Sequence, residues 1–399
     1  MATVLMTWEM GVGLEYAMEL RMMASGLVER GYKVVLAVRD LDTAAPLFSG
    51  MNVEVEAAPR RMSQRAKAHA TPRAFAHLLA NEGMGYADEL EAKIKTWRQK
   101  IQFLDPDLII FNHSPMALLA ARPFEVSKVM LGMGFCCPPG GEWLPAFTRK
   151  HQELCEIQDD ETRLLASVNG VLASLGDEPL EAMPEIYRQV DQSYLTTLPP
   201  LDPYPNRAKG TYCGPWGIHT MNDPNWPQSR GVFGRKRVYV SLTQVPVLLN
   251  VLETLKELHC IAVVSTEHLS KEWRENLAGQ DIRFSDASPS VQQLADICDM
   301  AVLDGDHNHV VQCLLAGIPV MCCPLTLEHA ATSQCVVDCG AGLSESTHAP
   351  VAIKQALRAV LKGKSFRKAA KEFAREHSYI DPHETLSFAL DSIQILGGF

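Results

Sequence analysis

Six consecutive residues, Asp304-Gly305-Asp306-His307-Asn308-His309, carry two carboxylates and two imidazoles, a donor set that a divalent cation accepts. The same run reads better as a solvated polar loop, and no metal is expected in it. Three other places offer reactive groups. Ser241 and Thr243 are hydroxyls just beyond an apolar run, placed either to touch a phosphate or to cap a turn. Glu15 is a carboxylate where a helix should start, which suits the positive end of the helix dipole. His113 follows Asn112 at the end of another apolar run, as a reactive imidazole or a packed one. The eleven cysteines form no such centre. Their number is odd, Cys136-Cys137 and Cys322-Cys323 are vicinal, and Cys335 and Cys339 match neither a zinc ribbon nor a redox pair, so reduced thiols are expected.

These groups need a frame, and the apolar pattern supplies one twice. Residues 3–7 predict a buried strand, Gly11-Val12-Gly13 a turn, 16–30 an amphipathic helix with methionines on its core face, and 32–38 a second strand. Strands follow at 107–111 and 129–131, with a helix at 116–122 between them. Proline is too dense between Leu198 and Trp216 for a helix or a central strand, and this stretch predicts the end of a first domain. The alternation then restarts, with strands at 237–241, 261–265 and 300–303 and helices at 245–258, 291–297 and 310–316. Lys371 to Leu396 predicts terminal helices broken at Asp381-Pro382. Two successive α/β halves imply two parallel sheets, whose loops beyond the strand ends would share a central cleft.

Size and composition agree with this division. The 399 residues exceed what one core usually supports. A formal net charge of −10 without a basic run argues against nucleic acid as partner. No apolar stretch is long enough for a transmembrane helix, and the opening residues lack a signal-peptide pattern, so the expected location is cytoplasmic.

Several ordered segments resemble bacterial UDP-glycosyltransferase-like enzymes, the macrolide and natural-product glycosyltransferases. They are Trp8-Glu9-Met10-Gly11-Val12-Gly13-Leu14, Arg30-Gly31-Tyr32-Lys33-Val34, Pro106-Asp107-Leu108-Ile109-Ile110, Leu201-Asp202-Pro203-Tyr204 with Gly214-Pro215, and the run from Pro289 to Gly342. Within that run, Ala316-Gly317-Ile318-Pro319, Pro324-Leu325-Thr326-Leu327-Glu328 and Cys339-Gly340-Ala341-Gly342 keep the family's order and spacing. The resemblance implies an α/β chain of GT-B type: two Rossmann-like domains facing a central cleft. Residues 1–215 would bind the acceptor, 216–235 link, 236–375 bind a nucleotide sugar, and 376–399 pack back across the cleft.

It also implies a reaction, the transfer of a sugar from a nucleotide-diphosphate donor to an acceptor hydroxyl, with inversion and without cofactor or metal. The donor residues implied are Ser241, Thr243, Gly305, Asp306, His307, Asn308, His309, Gln312, Glu328 and His329. His309 stands where the family has a phosphate-binding Thr and Gln312 where it has a ribose-binding acid, while Asp304 and Asp306 bring negative charge to the expected diphosphate position. The family's catalytic His and its orienting Asp are replaced by Tyr16 and Asn112. Tyrosine is a poor base at neutral pH and asparagine takes no proton, which leaves Glu15, ahead of His113, as the substitute. The alternative is a catalytically impaired relative that acts as a binding partner or regulator of another protein.

Overall fold

The computed structural model describes residues 2–397 apart from 12, 61–64, 149, 205–206, 208, 217–233, 267–268, 280, 286–289, 296 and 348. The chain divides into two compact units. The first comprises Met1–Pro199, Tyr204–Gly217 and Asp381–Phe399, and the second Pro200–Pro203 and Ile218–Ile380. Most of the linker expected at 216–235 lies outside the described residues.

In the first unit the strands are β1 (Thr3–Trp8), β2 (Lys33–Val38), β3 (Val53–Ala57), β4 (Leu108–Asn112), β5 (Ser127–Gly132), β6 (Gln192–Leu195) and β7 (Thr211–Tyr212). They form one parallel sheet in the order β3-β2-β1-β4-β5-β6-β7. Every residue of β4, Leu-Ile-Ile-Phe-Asn, is buried, as expected of a central parallel strand covered on both faces.

The helix Leu14–Glu29 follows β1 through a turn in which Gly11 has φ 82° and Gly13 has φ 134°. A Cβ at Gly11 would run into the ring of Tyr16, so the turn needs glycine for space as well as for its backbone angle. The last helix, Pro382–Leu396, returns to this unit. Leu390 packs against Gly26, Arg30 pairs with Asp391 at 2.5 Å, and Trp216 Nε1 donates to Thr385 Oγ1 at 3.2 Å. Asp381 caps the helix, accepting the His383 N–H at 2.8 Å, and Pro382 occupies its first turn, where a missing N–H costs nothing.

The second unit contains β8 (Arg237–Ser241), β9 (Ile261–Ser265), β10 (Ile282–Ser285), β11 (Met300–Leu303), β12 (Val320–Cys322) and β13 (Gly342–Ser344). They too are parallel, in the order β10-β9-β8-β11-β12-β13. Its core joins Val238, Val240 and Val302 of the sheet to Leu248, Val251 and Leu255 of the helix Val245–Glu257 and to Ile353 and Leu357 of Pro350–Lys362.

Counted from its own first strand, each sheet begins 3-2-1-4-5-6, the doubly wound order of dinucleotide-binding folds. The order reverses between β1 and β4 in one unit and between β8 and β11 in the other. Ligands of such sheets bind beyond the strand ends at that reversal, so the topology points to the loops after Trp8 and Asn112, and after Ser241 and Leu303.

Candidate functional site

In the second unit Leu303 pairs with Ser241 at the reversal point, which brings two of the expected loops side by side. They are fastened by Asp304, whose Oδ2 accepts the Thr243 backbone N–H at 2.8 Å. Burial raises the Asp304 carboxyl above the usual range, against the bonds from Thr243. Gly305 then turns with φ 100°, and a Cβ there would sit 2.7 Å from both the His329 carbonyl and Ser333 Oγ. The glycine thus lets the turn lie directly on the helix Leu327–Asp338, which carries Glu328 and His329 in its first turn.

One expectation is corrected at this point. The helix predicted from residue 310 begins at His307 and runs to Leu315, so His307, Asn308 and His309 form its first turn. Asp306 is its N-cap, accepting the His309 N–H at 2.9 Å. The sequence carries the signal, because Asp is a preferred N-cap and stands three residues before His309. The reading of this run as a solvated loop is corrected too: Asp304 is 5% exposed, His307 4% and Asn308 8%. Gln312 is also buried, while Ser241, Asp306, His309, Glu328 and His329 are half-buried and Thr243 is exposed.

The charges at this helix start are set by burial and by one pair. Asp306 Oδ1 lies 3.1 Å from His309 Nδ1. Burial would raise the Asp306 carboxyl, but hydrogen bonds and charge from His309 hold it well below the usual range. Burial likewise opposes charging of His309, and Asp306 more than offsets that, so the imidazole is raised. Burial lowers His307 to about 4 and lowers His329 against the pull of Asp306 and Asp304. Within the protein, Asp304 Oδ1, His307 Nε2, Asn308 Oδ1 and His329 Nδ1 are buried without a hydrogen-bond partner, a concentration that calls for partners from outside the chain, water or ligand.

In the first unit Trp8 pairs with Asn112 at the corresponding point. Tyr16 is fully buried and stacks between Trp8 and His113, with ring centroids 5.6 and 5.7 Å away. His113 also meets Phe75 at 6.0 Å and Phe135 at 6.4 Å. It adopts φ 47°, its carbonyl accepts the Met10 N–H at 3.0 Å, and neither ring nitrogen has a protein partner. Burial lowers its pKa to about 3, so in this state it is neutral and a weak proton acceptor. Glu15 is half-buried in the first helical turn, its carboxylate folded over Gly13.

Two acids at this reversal point escaped sequence reasoning. Glu19 is buried beneath Tyr16 on the same helix, where its Oε2 accepts Asn112 Nδ2 at 2.9 Å and its Oε1 accepts the Thr196 hydroxyl. Its spacing of three and four residues from Tyr16 and Glu15 puts all three on one helical face, and that was the available signal. Glu9 accepts the Met116 and Ala117 N–H groups at 2.9 and 3.1 Å and the Trp97 indole N–H. Burial outweighs those bonds and raises Glu9 to about 6.

Among the described residues one group has metal-like spacing, His69, His77 and Asp160, and it is remote in sequence from 304–309. His77 Nδ1 accepts the Arg73 N–H at 3.0 Å and Nε2 faces Asp160 at 3.1 Å. That leaves the proton on Nε2, the atom a metal would need, and the trio fits a hydrogen-bonded pair better than a cation.

The two Rossmann-like parallel sheets of this chain match the GT-B fold of solved structures. No protein-family model matches the chain, and no curated protein matches it in sequence. Solved structures do match, over nearly its whole length. The glycosyltransferase VinC in complex with dTDP is 14% identical with a TM-score of 0.68, covering 99% of each chain. The calicheamicin glycosyltransferase CalG4 is 16% identical with a TM-score of 0.69, covering 100% of this chain and 98% of its own. The spinosyn rhamnosyltransferase SpnG complexed with spinosyn aglycone is 16% identical with a TM-score of 0.62, covering 98% and 100%. The likeness at such identities is one of fold. Among the described residues no helix is long and apolar enough to cross a membrane.

Proposed function

We propose that the protein transfers a sugar from a nucleoside-diphosphate donor to an acceptor hydroxyl, with inversion and without a metal or cofactor. The observation that carries this reading is the reversal point of the second sheet. There Ser241, Thr243 and the start of the helix His307–Leu315 come together with four buried polar atoms that the protein itself leaves unpartnered. The first N–H groups of a helix favour phosphate oxygens, and Gln312, Glu328 and His329 would then face the ribose and the sugar. The dTDP of the VinC structure and the aglycone of the SpnG structure support a donor and an acceptor of these kinds.

In the reaction the bond from the anomeric carbon to the diphosphate oxygen breaks, and the nucleoside diphosphate leaves with the electron pair. The acceptor oxygen forms the new bond on the opposite face and gives its proton to a base. Glu15 suits that role better than His113, because it is a half-exposed carboxylate while His113 is buried and weakly basic. Thermal-shift titration with a panel of nucleotides and nucleotide sugars tests donor binding, since a ligand specific for the folded state raises its stability. A panel without any shift would count against the enzyme.

A second reading is a protein that keeps the fold but not turnover, acting as a binding partner. What favours it is that Tyr16 and Asn112 are engaged, one in an aromatic stack and the other with Glu19. Binding of donor without transfer to any of a broad set of hydroxyl acceptors would select it. A cytoplasmic location is part of both readings.

A further inference from the structure

The cap of the helix His307–Leu315 is a carboxylate at the very place where the proposed donor would set its diphosphate. We propose that Asp306 is a product-rejecting residue, a resident anion that makes the site hold a nucleotide sugar in preference to the nucleoside diphosphate left after transfer. The inference rests on the donor site proposed above and adds to it a discrimination between two ligands of that site.

The helix start is marked as a ligand site by more than its dipole. Asp304 Oδ1, His307 Nε2 and Asn308 Oδ1 have no partner in the protein, and their residues are 5%, 4% and 8% exposed. The third N–H of the helix, on His309, is already taken by Asp306 at 2.9 Å. The imidazole of His309 meets the same carboxylate through Nδ1 at 3.1 Å, so Asp306 engages one side of that ring as well as the N–H. Asp304 adds a second acid nearby, and burial keeps His307 neutral at ordinary pH. An incoming phosphate therefore meets an ionised carboxylate at the helix start, where a glycine cap would leave only the helix N–H groups.

Such a site treats the two ligands differently. A nucleotide sugar carries one negative charge on each phosphate, because both are esterified on two sides. When the sugar leaves, the terminal phosphate gains a second ionisation with a pKa near about 6, so at neutral pH the product carries one more negative charge. That charge appears on the phosphate nearest the sugar, against a carboxylate held ionised by its own pair. Like charges brought close together repel more strongly at a protein surface than in bulk water. The attraction that every helix start offers to both ligands is thus met by a repulsion that falls mainly on the product.

Isothermal titration of the full-length protein at pH 7.5 with UDP-glucose and UDP, and with dTDP-glucose and dTDP, tests this. The variants are Asp306→Asn and Asp306→Ser, which keep a capping side chain and so keep the helix start folded. The expected result is that both variants gain affinity for the nucleoside diphosphate by about tenfold or more relative to any gain for the matching nucleotide sugar. In a transfer assay the same variants should become correspondingly more sensitive to inhibition by product. Equal gains for both ligands, or none, would overturn the inference while leaving the donor site in place. If neither ligand binds the wild type or the variants, the donor site falls and the inference with it.

Discussion

Asn112 and Glu19 are joined by a hydrogen bond of 2.9 Å from Nδ2 to Oε2, and both side chains are buried. The second oxygen of Glu19 takes the hydroxyl of Thr196. An amide can donate to that carboxylate, and an aspartate could not. The residue at 112 is therefore fixed by Glu19, which stands three residues after Tyr16 on the same helix.

Asn112→Asp should destabilise the protein by about 3 kcal/mol, because it sets two carboxylates against each other out of water. Urea unfolding measures the loss, and the double variant Glu19→Gln with Asn112→Asp should recover most of it. A single variant as stable as the wild type would mean that Glu19 does not hold this position. Restoring the resembled family's dyad through Tyr16→His and Asn112→Asp alone should fail for the same reason.

If Glu15 takes the acceptor proton, Glu15→Gln should lower turnover by about 100-fold to 10,000-fold and leave donor affinity nearly unchanged. His113→Ala should affect folding more than rate, since it empties a place in the stack of Trp8, Tyr16 and Phe75. Single-turnover assays and donor titrations on both variants separate these effects. Full activity in Glu15→Gln would remove it as the base.

Donor binding should depend on the loop after β8 and on the first turn of the 307–315 helix. Ser241→Ala and His309→Ala are each expected to weaken nucleotide-sugar binding by about 1 to 3 kcal/mol, the cost of a lost charge-assisted hydrogen bond. Calorimetric titration would read it, and unchanged affinity in both would place the diphosphate elsewhere.

Glu161 gives the fold a dependence on pH that runs opposite to ordinary acid denaturation. It is buried, both its oxygens face the single N–H of Leu144 at 3.0 and 3.1 Å, and burial raises its pKa from 4.5 to about 7. The folded state thus holds this proton more tightly than the unfolded one. The contribution is fully present below about pH 4.5 and is lost as pH rises through about 7. Glu161→Gln should leave stability at pH 4.5 nearly unchanged and raise it at pH 8. Melting curves at the two pH values check this, and the same Tm difference between them in wild type and variant would refute it.

Much of the fold was legible because parallel strands buried on both faces are written as apolar runs, and 107–111 and 237–241 stand out as such. The two-residue strand Thr211–Tyr212 did not, since two residues carry no period and prolines surround it. At the candidate site, Ser241 was proposed from the apolar run that it follows and Gly305 from the resemblance to the family's loop. The start of the helix at His307 was missed because its first turn is polar, and apolar periodicity begins only with Val310. Glu19 was missed for a related reason. An acid inside an amphipathic pattern reads as a solvent face until the neighbouring strand end supplies the amide that it meets.

The return of Pro382–Leu396 to the first unit bears on how the chain is made as well as on how it stands. Domains synthesised on a ribosome generally fold as units, the N-terminal one first. Here the first unit cannot close its Leu14–Glu29 face until Leu390 and Asp391 have emerged, after every residue of the second unit has been translated. The second unit ends at Ile380. The unit whose strands come earlier in the chain is therefore completed by the helix that comes last among the described elements.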